Sequence, residues 1–300
     1  MGGAQQVWKY EAMTTTASSY TSSADDTEIA TYAWTDVGNR PRGSVQIAHG
    51  LAEHAARYDR FAQALNQAGY LAFASDHRGH GQSAGDRLGD FGSAGFGGLI
   101  ADVVEFGGRI RADHPGIPVF LLGHSMGSFA AQSIIVDHSA QYAGVVLSGS
   151  TALDVLMANL SQADGPVGLE AFNAGFEHRT GFEWLSRDEA EVDKYMADPL
   201  CGFEAPPETL PQLFSHAERL ADPEILGSIN PNLPILVASG TDDPLAGGGQ
   251  LIELLCQRYR DAALNDVTVT LYPGARHEIL NETNRDEVTS DIVTWLESRS

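Results

Sequence analysis

The chain has 300 residues and a formal net charge of −22, and 43% of its residues are hydrophobic. This length and apolar content permit one large α/β domain, or one domain that carries an insertion. With 40 acidic against 18 basic residues and no basic patch, the composition argues against binding to nucleic acid or to anionic lipid surfaces. The 2 cysteines form neither a disulfide framework nor a metal-ligand spacing, so we expect no cofactor and no metal.

The first residues of the chain are polar and rich in Thr and Ser, and we expect residues 1–24 to form a flexible segment. They contain no positively charged segment followed by an apolar run, and no stretch approaches the roughly 18 apolar residues of a membrane span. We therefore predict a cytoplasmic protein without stable membrane insertion. The sequence leaves the natural start open between Met1 and Met13, and it does not determine the oligomeric state.

Short apolar runs alternate with amphipathic patterns along most of the chain. Several apolar runs predict strands of a parallel sheet that is buried on both faces, at residues 45–48, 71–74, 119–122, 144–147, 235–238 and 267–271. Apolar residues three and four positions apart predict packed helices at residues 58–67, 100–113, 128–138, 250–259 and 286–297. Residues 18–23 and 29–34 predict a hairpin at the sheet edge. The predicted fold class is α/β, with a mostly parallel eight-stranded sheet and helices on both faces.

The region from residue 151 to residue 230 interrupts this alternation. It has no clear buried strand, but it has helical fragments and several aromatic residues, including Phe172, Phe176, Phe182, Trp184 and Phe203. Because long connections inside a compact domain usually have a function, we predict that residues 151–230 form a helical lid over a site. Residues 25–150 and 231–300 would then form the core. The alternative is that this region only covers the core.

Two segments match the Gly-x-Ser-x-Gly pattern of a nucleophile elbow, GHSMG around Ser125 and GQSAG around Ser83. An elbow requires a buried strand immediately before the serine and a helix immediately after it. Only Ser125 has both predicted elements, because Ser83 lies in a Gly-rich loop. We therefore predict Ser125 as the nucleophile and a structural role for Ser83. The glycines around Ser125 permit the close backbone approach that a strained turn requires.

A serine hydroxyl needs a base that accepts its proton, and the base needs a carboxylate that orients it. In hydrolases with such an elbow the chain order is Ser, then Asp or Glu, then His, and His277 is the only histidine after residue 216. Its position after a predicted strand favours His277 as the base over the alternative of an exposed loop histidine. Asp242 and Asp243 both follow a predicted strand. Pro244 favours Asp243 as the acid because it would stiffen the turn, and Asp242 stays the alternative.

Two backbone N–H groups are expected to bind the oxyanion of the tetrahedral intermediate. One belongs to Met126, because the helix that starts at the nucleophile presents unpaired N–H groups to developing negative charge. The other belongs to Leu51, which follows a predicted strand and Gly50. An ordinary tight turn at Gly50 is the alternative for that segment.

Several segments together resemble the monoacylglycerol lipase and lysophospholipase family of α/β-hydrolases, and the similarity spans roughly residues 45–300. These segments are HGLAEH at 49–54, RY at 57–58, DHRGHGQS at 76–83, GHSMG at 123–127, WLSRD at 184–188, DPLCGF at 198–203, GTDDP at 240–244 and RHE at 276–278. The resemblance implies an α/β-hydrolase fold with a lid, Asp243 as the acid, and Leu51 and Met126 as the oxyanion donors. It also implies a structural role for residues 76–83.

His77 and His80 follow Asp76 closely in the sequence, and this grouping suggests a metal site. No third and fourth ligands follow at a standard spacing, and the resemblance gives this loop another role. We therefore expect no metal at these residues.

The predicted function is that of a serine carboxylic ester hydrolase, of the EC 3.1.1 type, that acts on monoacylglycerol, lysophospholipid or similar monoesters through an acyl-enzyme intermediate. Its partner would be a small-molecule ester with an apolar acyl group. The alternatives are an esterase for other small or aromatic esters, and a thioesterase or peptidase with the same triad. A dehalogenase or epoxide hydrolase would carry an Asp in place of Ser125. A non-enzymatic binding protein is the least favoured, since all three triad residues are present.

Overall fold

An eight-stranded sheet runs through the protein in the computed structural model, which describes residues 15–38, 40–85, 87–162 and 168–300. Its strands in chain order are β1 (Thr15–Thr21), β2 (Glu28–Trp34), β3 (Gly43–Ala48), β4 (Tyr70–Ser75), β5 (Val119–His124), β6 (Gly144–Ser148), β7 (Ile235–Gly240) and β8 (Val267–Tyr272). In space they follow the order β1-β2-β4-β3-β5-β6-β7-β8. Strand β2 runs antiparallel to both neighbours, and the other pairs are parallel. The predicted mostly parallel eight-stranded sheet is confirmed.

The described residues contain ten α-helices. They are α1 (Asp59–Gln67), α2 (Gly95–Asp113), α3 (Met126–His138), α4 (Leu153–Gln162), α5 (Glu189–Ala197), α6 (Thr209–Phe214), α7 (Ala217–Ala221), α8 (Pro223–Leu226), α9 (Gln250–Asp261) and α10 (Arg285–Glu297). Within these described ranges, no helix combines the length and the apolar character that crossing a bilayer requires.

The central strands β3 to β7 are buried at every residue. On β5, Leu121 packs into one apolar core with side chains of α2, α3 and α9. Its neighbours Phe120 and Leu122 pack into a second core with side chains of α1 and α10. Because successive side chains of a strand point to opposite faces, each central strand must fill both cores. This requirement explains the continuous apolar runs of the sequence.

The N-terminal hairpin corrects one expectation from the sequence. Strand β1 pairs with β2 over its whole length, and this pairing agrees with the hairpin predicted at the sheet edge. Tyr20 of β1 is buried, and its hydroxyl donates a hydrogen bond to the backbone oxygen of Asp102 at 2.8 Å. The flexible segment expected over residues 1–24 is therefore wrong for residues 15–21, because strand pairing and side-chain burial hold them. Residues 1–14 lie outside the described residues.

A helical insertion connects β6 to β7. Its described part, residues 149–162 and 168–234, contains α4 to α8 and no strand, in agreement with the helical character predicted for residues 151–230. The insertion adds buried side chains to the core on the α2 and α3 face, including Leu153, Leu156, Trp184, Leu185, Tyr195, Leu213 and Leu220. It therefore shares an apolar core with the rest of the fold.

Candidate active site

Ser125 lies in a sharp turn between β5 and α3. Its backbone angles, φ 51 and ψ -121, form a conformation that non-glycine residues rarely adopt. The neighbouring glycines permit this turn, because a Cβ atom on Gly123 would lie 2.4 Å from the carbonyl oxygen of Gly127. A Cβ atom on Gly127 would lie 2.1 Å from the carbonyl oxygen of Ala48. Ser125 is partly exposed although β5 and most of α3 are buried, so the turn presents this residue at the end of a buried strand.

The second Gly-x-Ser-x-Gly match has a different environment. Ser83 is buried in a short 3-10 turn, and its hydroxyl oxygen accepts a hydrogen bond from the N–H of Ala30 at 2.8 Å. The carboxylate of Asp76 supports the same loop by accepting hydrogen bonds from the N–H groups of Ala55 at 2.9 Å and Gln82 at 2.7 Å. These bonds agree with the structural role predicted for the loop.

A buried hydrogen bond joins His277 to Asp243, with Nδ1 of the imidazole 3.0 Å from Oδ2 of the carboxylate. The other carboxylate oxygen of Asp243 accepts a hydrogen bond from the N–H of Leu245 at 2.9 Å. Asp242 is exposed, and its carboxylate accepts a hydrogen bond from the hydroxyl of Thr241. Of the two candidate acids, the structure brings Asp243 against His277 and leaves Asp242 at the surface.

The protonation of His277 follows from this contact. Burial alone would lower the pKa of His277, but the charge of Asp243 and the hydrogen bond to it raise this pKa above its ordinary value of 6.5. Because the carboxylate accepts from Nδ1, the neutral imidazole carries its proton there and keeps the lone pair on Nε2. This is the tautomer that a general base requires.

The predicted catalytic residues follow the carboxyl ends of three strands, Ser125 after β5, Asp243 after β7 and His277 after β8. The ring of His124, the residue before Ser125, has its centroid 4.8 Å from that of His277. A Cβ atom on Gly149 would lie 2.9 Å from Cε1 of His124 and 2.9 Å from Cε1 of His277, so the two imidazoles meet at the end of β6. The structure therefore brings the Asp243–His277 pair to the sheet edge that carries the Ser125 turn.

The loop after β3 is fixed around Gly50. The N–H of Gly50 donates to Oε1 of Glu53 at 2.5 Å, and the carbonyl oxygen of Gly50 lies 2.8 Å from Nδ1 of His49. Nε2 of His49 accepts the N–H of His77 at 2.9 Å, so the neutral ring carries its proton on Nδ1 and donates to Gly50. The carbonyl of Gly50 and the N–H of Leu51 belong to the same planar, trans peptide and point in opposite directions. A hydrogen bond that fixes the carbonyl therefore also fixes the direction of the N–H.

Both candidate oxyanion donors belong to residues that adjoin the Ser125 turn. A Cβ atom on Gly50 would lie 3.1 Å from Cβ of Ser125, so the loop that carries Leu51 touches the predicted nucleophile. Helix α3 begins at Met126. The N–H of this residue lies in the first turn of the helix, where there is no preceding helical carbonyl oxygen to accept its hydrogen bond. The positive end of the helix dipole at this position favours an anion.

An ion-pair cluster that the sequence analysis did not predict supports this loop. The guanidinium of Arg57 donates to Glu53 at 2.7 Å and, through two nitrogens, to Glu278 at 2.5 Å and 2.7 Å. Burial raises the pKa of Glu278, but the charge of Arg57 together with the hydrogen bonds from Arg57 and Asn281 outweighs burial and brings this pKa to about 2. The sequence contains one signal for the cluster, which is that its members lie in the motif segments. Glu53 and Arg57 lie in the segments at residues 49–54 and 57–58, and Glu278 follows His277.

The helical insertion contacts the loop that carries His277. The ring of Trp184 has its centroid 4.8 Å from that of His277. The backbone oxygen of Trp184 accepts the N–H of His277 at 3.2 Å, and that of Leu185 accepts the N–H of Glu278 at 2.8 Å. The sequence analysis placed Trp184 among the aromatic residues of the insertion, but it predicted no contact with the base. The structure therefore adds Trp184 to the surroundings of the candidate site.

One group of side chains in the described part of the chain has ligand atoms close enough together to hold a metal ion. It consists of His54, Asp198 and Cys201, whose ligand atoms all lie within 4.8 Å of one another. His77 and His80, which drew attention in the sequence, do not belong to this group. Both rings are buried, and burial lowers the pKa of His77 to about 3 and that of His80 to about 4.

Comparisons with known proteins identify the family. The family described as "Hydrolase_4: Serine aminopeptidase, S33" matches residues 39–284. The monoacylglycerol lipase of Mycolicibacterium smegmatis is 33% identical over 271 residues, which cover 86% of this chain and 89% of that protein. The monoglyceride lipase of Homo sapiens is 30% identical over 300 residues, which cover 89% of this chain and 86% of that protein.

A solved structure agrees with these relatives. A highly thermostable carboxyl esterase from Bacillus coagulans superposes with a TM-score of 0.84 at 27% identity, over 96% of this chain and 99% of that chain. The resemblance that the sequence motifs indicated is thereby confirmed. The chain is an α/β-hydrolase related to the monoacylglycerol lipases, and it belongs to the serine aminopeptidase S33 family.

Proposed function

We propose that this protein hydrolyses monoacylglycerols and similar carboxylic monoesters through an acyl-enzyme intermediate on Ser125. The observation that carries the proposal is the buried hydrogen bond of 3.0 Å between His277 Nδ1 and Asp243 Oδ2, at the sheet edge that carries the Ser125 turn. The relationship to the monoacylglycerol lipase of M. smegmatis and the monoglyceride lipase of Homo sapiens supports the substrate class.

The reaction proceeds by two acyl transfers. Ser125 Oγ attacks the ester carbonyl while Nε2 of His277 accepts the hydroxyl proton, and the same nitrogen then protonates the leaving alcohol. Water attacks the acyl-enzyme in the second transfer and regenerates Ser125. Asp243 keeps the proton of the neutral imidazole on Nδ1 and stabilises the imidazolium that forms in each transfer.

The N–H groups of Leu51 and Met126 bind the oxyanion of each tetrahedral intermediate. The hydrogen bond from His49 to the carbonyl of Gly50 supports this role, because it sets the direction of the Leu51 N–H before substrate arrives. The start of α3 at Met126 supports the role of the second donor. A preorganised pair of donors requires little rearrangement when charge develops.

We assign the helical insertion, residues 151–230, the role of a lid that receives the acyl chain. The contact between Trp184 and His277 supports this role, because it brings the insertion to the predicted base. Each methylene group buried against an apolar lid would contribute about 0.8 kcal/mol. Acyl-length preference should therefore respond to substitutions in the insertion.

A substrate panel with two serine variants tests the proposal. The panel contains p-nitrophenyl esters, monoacylglycerols, lysophospholipids, aromatic monoesters, and a thioester and an amide with matched acyl groups. We expect wild type to prefer monoacylglycerols and Ser125→Ala to lose activity on every substrate. Ser83→Ala is the matched control, and it should retain activity because the hydroxyl that it removes accepts a structural hydrogen bond from the N–H of Ala30. Activity that persists in Ser125→Ala and disappears in Ser83→Ala would reject the assignment of the nucleophile.

The panel also separates the alternatives that share the triad. A preference for the lysophospholipids or the aromatic monoesters would keep the assignment as an esterase but replace monoacylglycerols as the substrate class. A preference for the thioester or the amide would replace ester hydrolysis by thioesterase or peptidase activity. Binding without turnover of any substrate would indicate a non-enzymatic protein on this fold.

We also propose a cytoplasmic location. Both cysteines, Cys201 and Cys256, are buried and unpaired, and a reducing compartment keeps thiols in this form. Fractionation of cells that produce the full chain tests this location, and recovery in an extracellular or membrane fraction would reject it.

A further inference from the structure

Three side chains of metal-binding type meet where the helical insertion touches the loop after β3. His54 belongs to that loop, and Asp198 and Cys201 belong to the insertion, directly after α5. Nε2 of His54 lies 2.9 Å from Oδ2 of Asp198, and the ligand atoms of the three residues all lie within 4.8 Å of one another. His54 and Cys201 are buried, whereas the side chain of Asp198 is 23% exposed. The cluster lies outside the Ser125, Asp243 and His277 arrangement.

We propose that His54, Asp198 and Cys201 form a binding site for a divalent transition metal ion, with Zn²⁺ as the best fit. An imidazole nitrogen, a carboxylate oxygen and a thiolate sulfur are the three ligand types that Zn²⁺ uses in proteins. Mg²⁺ and Ca²⁺ select oxygen ligands and would leave the sulfur and the nitrogen unused. Three protein ligands leave the fourth tetrahedral position to water.

The local backbone prepares two of the ligands. The N–H of Cys201 donates to the backbone oxygen of Asp198 at 3.0 Å, so a single turn brings both side chains to one side. The N–H of Leu200 donates to Oδ1 of Asp198 at 2.9 Å, which orients the carboxylate and leaves Oδ2 towards His54. Such outer hydrogen bonds to ligating groups are typical of metal sites.

The cluster needs a small rearrangement of its ligand atoms to hold the ion. Zn–N and Zn–O bonds of about 2.0–2.1 Å and a Zn–S bond of about 2.3 Å place tetrahedral ligands about 3.3–3.6 Å apart. The present distance of 2.9 Å between His54 and Asp198 is that of a hydrogen bond, and the ion would replace this bond. The alternative is a site that remains a His–Asp hydrogen bond beside a buried thiol.

Solvent reaches the cluster at Asp198. Asp198 lines a surface groove of about 1030 Å³ between the end of α5 and residues 81–85. The charge of Arg57 acts on both Cys201 and Asp198, and it is already paired with Glu53 and Glu278. The local field therefore does not oppose a divalent cation.

Metal binding would strengthen an existing contact between the insertion and the core. The carbonyl oxygen of Ala52 accepts hydrogen bonds from the hydroxyl of Tyr195 at 2.8 Å and from the N–H of Gly202 at 3.0 Å. The ion adds a third link between the same two segments, since its ligands come from both. Because a ligand that binds only the folded state stabilises it, bound Zn²⁺ should raise the melting temperature.

The test uses the tag-free full chain, stripped with a chelator and titrated with Co²⁺ as a spectroscopic probe, followed by Zn²⁺ in competition. We expect about one equivalent of Co²⁺ to produce the thiolate-to-cobalt charge-transfer band and the intense visible bands of tetrahedral Co²⁺, and Zn²⁺ to remove them. At about 100-fold excess over its dissociation constant, Zn²⁺ should raise the melting temperature by about 5 °C.

Two variants keep the test decisive. Cys201→Ser should lose the charge-transfer band, bind Co²⁺ about tenfold more weakly or worse, and lose the thermal shift, and His54→Gln should weaken binding by a similar factor. Cys256→Ala is the matched control, because it removes the other buried cysteine, which lies in α9. A wild-type titration without a thiolate band, or a band that survives in Cys201→Ser and disappears in Cys256→Ala, would overturn the proposal. None of these readouts depends on ester hydrolysis, so the proposed function is tested separately.

Discussion

The indole of Trp184 lies on the imidazole of His277, with ring centroids 4.8 Å apart and ring planes inclined by 40°. The same two residues are joined along the backbone, where the oxygen of Trp184 accepts the N–H of His277 at 3.2 Å. The helical insertion therefore supplies one wall of the pocket that holds the predicted base. Movement of the insertion at this point would change the position of the imidazole.

Removal of the indole should impair catalysis without removing any triad residue. We expect Trp184→Ala to lower kcat for ester hydrolysis by about 10-fold to 100-fold, because a small misplacement of a catalytic group has effects of this size. Trp184→Phe should recover part of the loss, since it restores a ring beside His277. The measurement is kcat and KM on a soluble ester, at a temperature where every variant is folded.

Trp295→Ala is the matched control for the loss of a large buried aromatic side chain. Trp295 packs against Phe120 in the core formed with α10, far along the chain from the insertion. Both alanine variants should lower the free energy of unfolding by about 3–5 kcal/mol. Only Trp184→Ala should lower kcat in the folded protein. An equal loss of kcat in Trp295→Ala would mean that the Trp184 effect reports general loosening of the fold.

The adjacent acids Asp242 and Asp243 should differ strongly. Asp243→Asn should lower kcat by roughly 10⁴-fold, because the Asn side chain can hold the wrong tautomer of the histidine in a Ser-His-Asp arrangement. Asp242→Asn should leave kcat within about threefold of wild type, since its carboxylate is exposed and accepts a hydrogen bond from the neighbouring Thr241. A larger loss in Asp242→Asn than in Asp243→Asn would contradict the geometry.

The pH profile gives a second test of the same pair. A base must be neutral, so kcat/KM falls as the pH decreases through the pKa of His277. The charge of Asp243 raises this pKa above 6.5, which puts the acidic limb of the wild-type profile above pH 6.5. Asp243→Asn removes the raising charge but not the burial, so its acidic limb should move to lower pH. A limb that stays in place, or moves to higher pH, would contradict this account.

The sequence predicts the fold and the chain order of the site well, because both depend on local patterns. Continuous apolar runs identified the buried strands, and the strand and helix around Ser125 separated the elbow from the loop that contains Ser83. The first strand was predicted at residues 18–23 and lies at residues 15–21; its start was assigned to the flexible segment, since its residues are mostly polar and only Tyr20 is buried. Residues 1–14 lie outside the described residues.

The contacts around the site were harder to predict, because they join distant segments. Glu278 pairs with Arg57 across 221 positions, and no local pattern indicates which charges meet. Trp184 reaches His277 from the helical insertion, where the sequence offers several aromatic residues of equal appearance. His49 donates a hydrogen bond to the carbonyl of Gly50 because the N–H of His77 occupies its Nε2 and leaves the proton on Nδ1. This bond between separate loops has no signal in the sequence.

The glycine two residues after the nucleophile, Gly127, should tolerate no side chain. In Gly127→Ala the new Cβ atom would lie 2.1 Å from the carbonyl oxygen of Ala48, and backbone atoms cannot rotate away as a side chain can. We expect a loss of about 3 kcal/mol or more in the free energy of unfolding, or failure to fold. In Gly108→Ala, inside α2, the new Cβ atom would lie 3.8 Å from Nη2 of Arg111, which is an ordinary contact. We expect this substitution to raise the free energy of unfolding by about 0.5–1 kcal/mol. Denaturant unfolding measures both, and a Gly127→Ala protein as stable as wild type would contradict the close approach.

The ion pair of Arg57 with Glu53 and Glu278 should contribute to the stability of the fold. Arg57→Met leaves two buried carboxylates without a cation, and we expect it to lower the free energy of unfolding by about 3–5 kcal/mol. The double variant Arg57→Met with Glu278→Gln should recover part of this loss, because it removes one of the two unpaired charges. Chemical denaturation at pH 7 measures both variants. Equal stability of the single and the double variant would show that Glu278 is not the partner.

Glu278 itself should make stability depend on pH in a defined window. Against the effect of burial, the charge and the hydrogen bonds of Arg57 bring the pKa of Glu278 from 4.5 in the unfolded chain to about 2 in the folded protein. A lowered carboxyl pKa contributes stability that is fully present above the unfolded value and is lost as the pH falls towards the folded value. The difference in unfolding free energy between wild type and Glu278→Gln should therefore be constant above pH 5 and should shrink between about pH 4.5 and pH 2.

Denaturant unfolding of both proteins across this range measures the difference. Glu297→Gln is the control, because Glu297 is an exposed carboxyl on α10 beside Arg42. The unfolding free energy of this control should differ less from that of wild type at every pH. A difference that grows as the pH falls would mean that the carboxyl pKa is raised, and that burial outweighs the charge of Arg57.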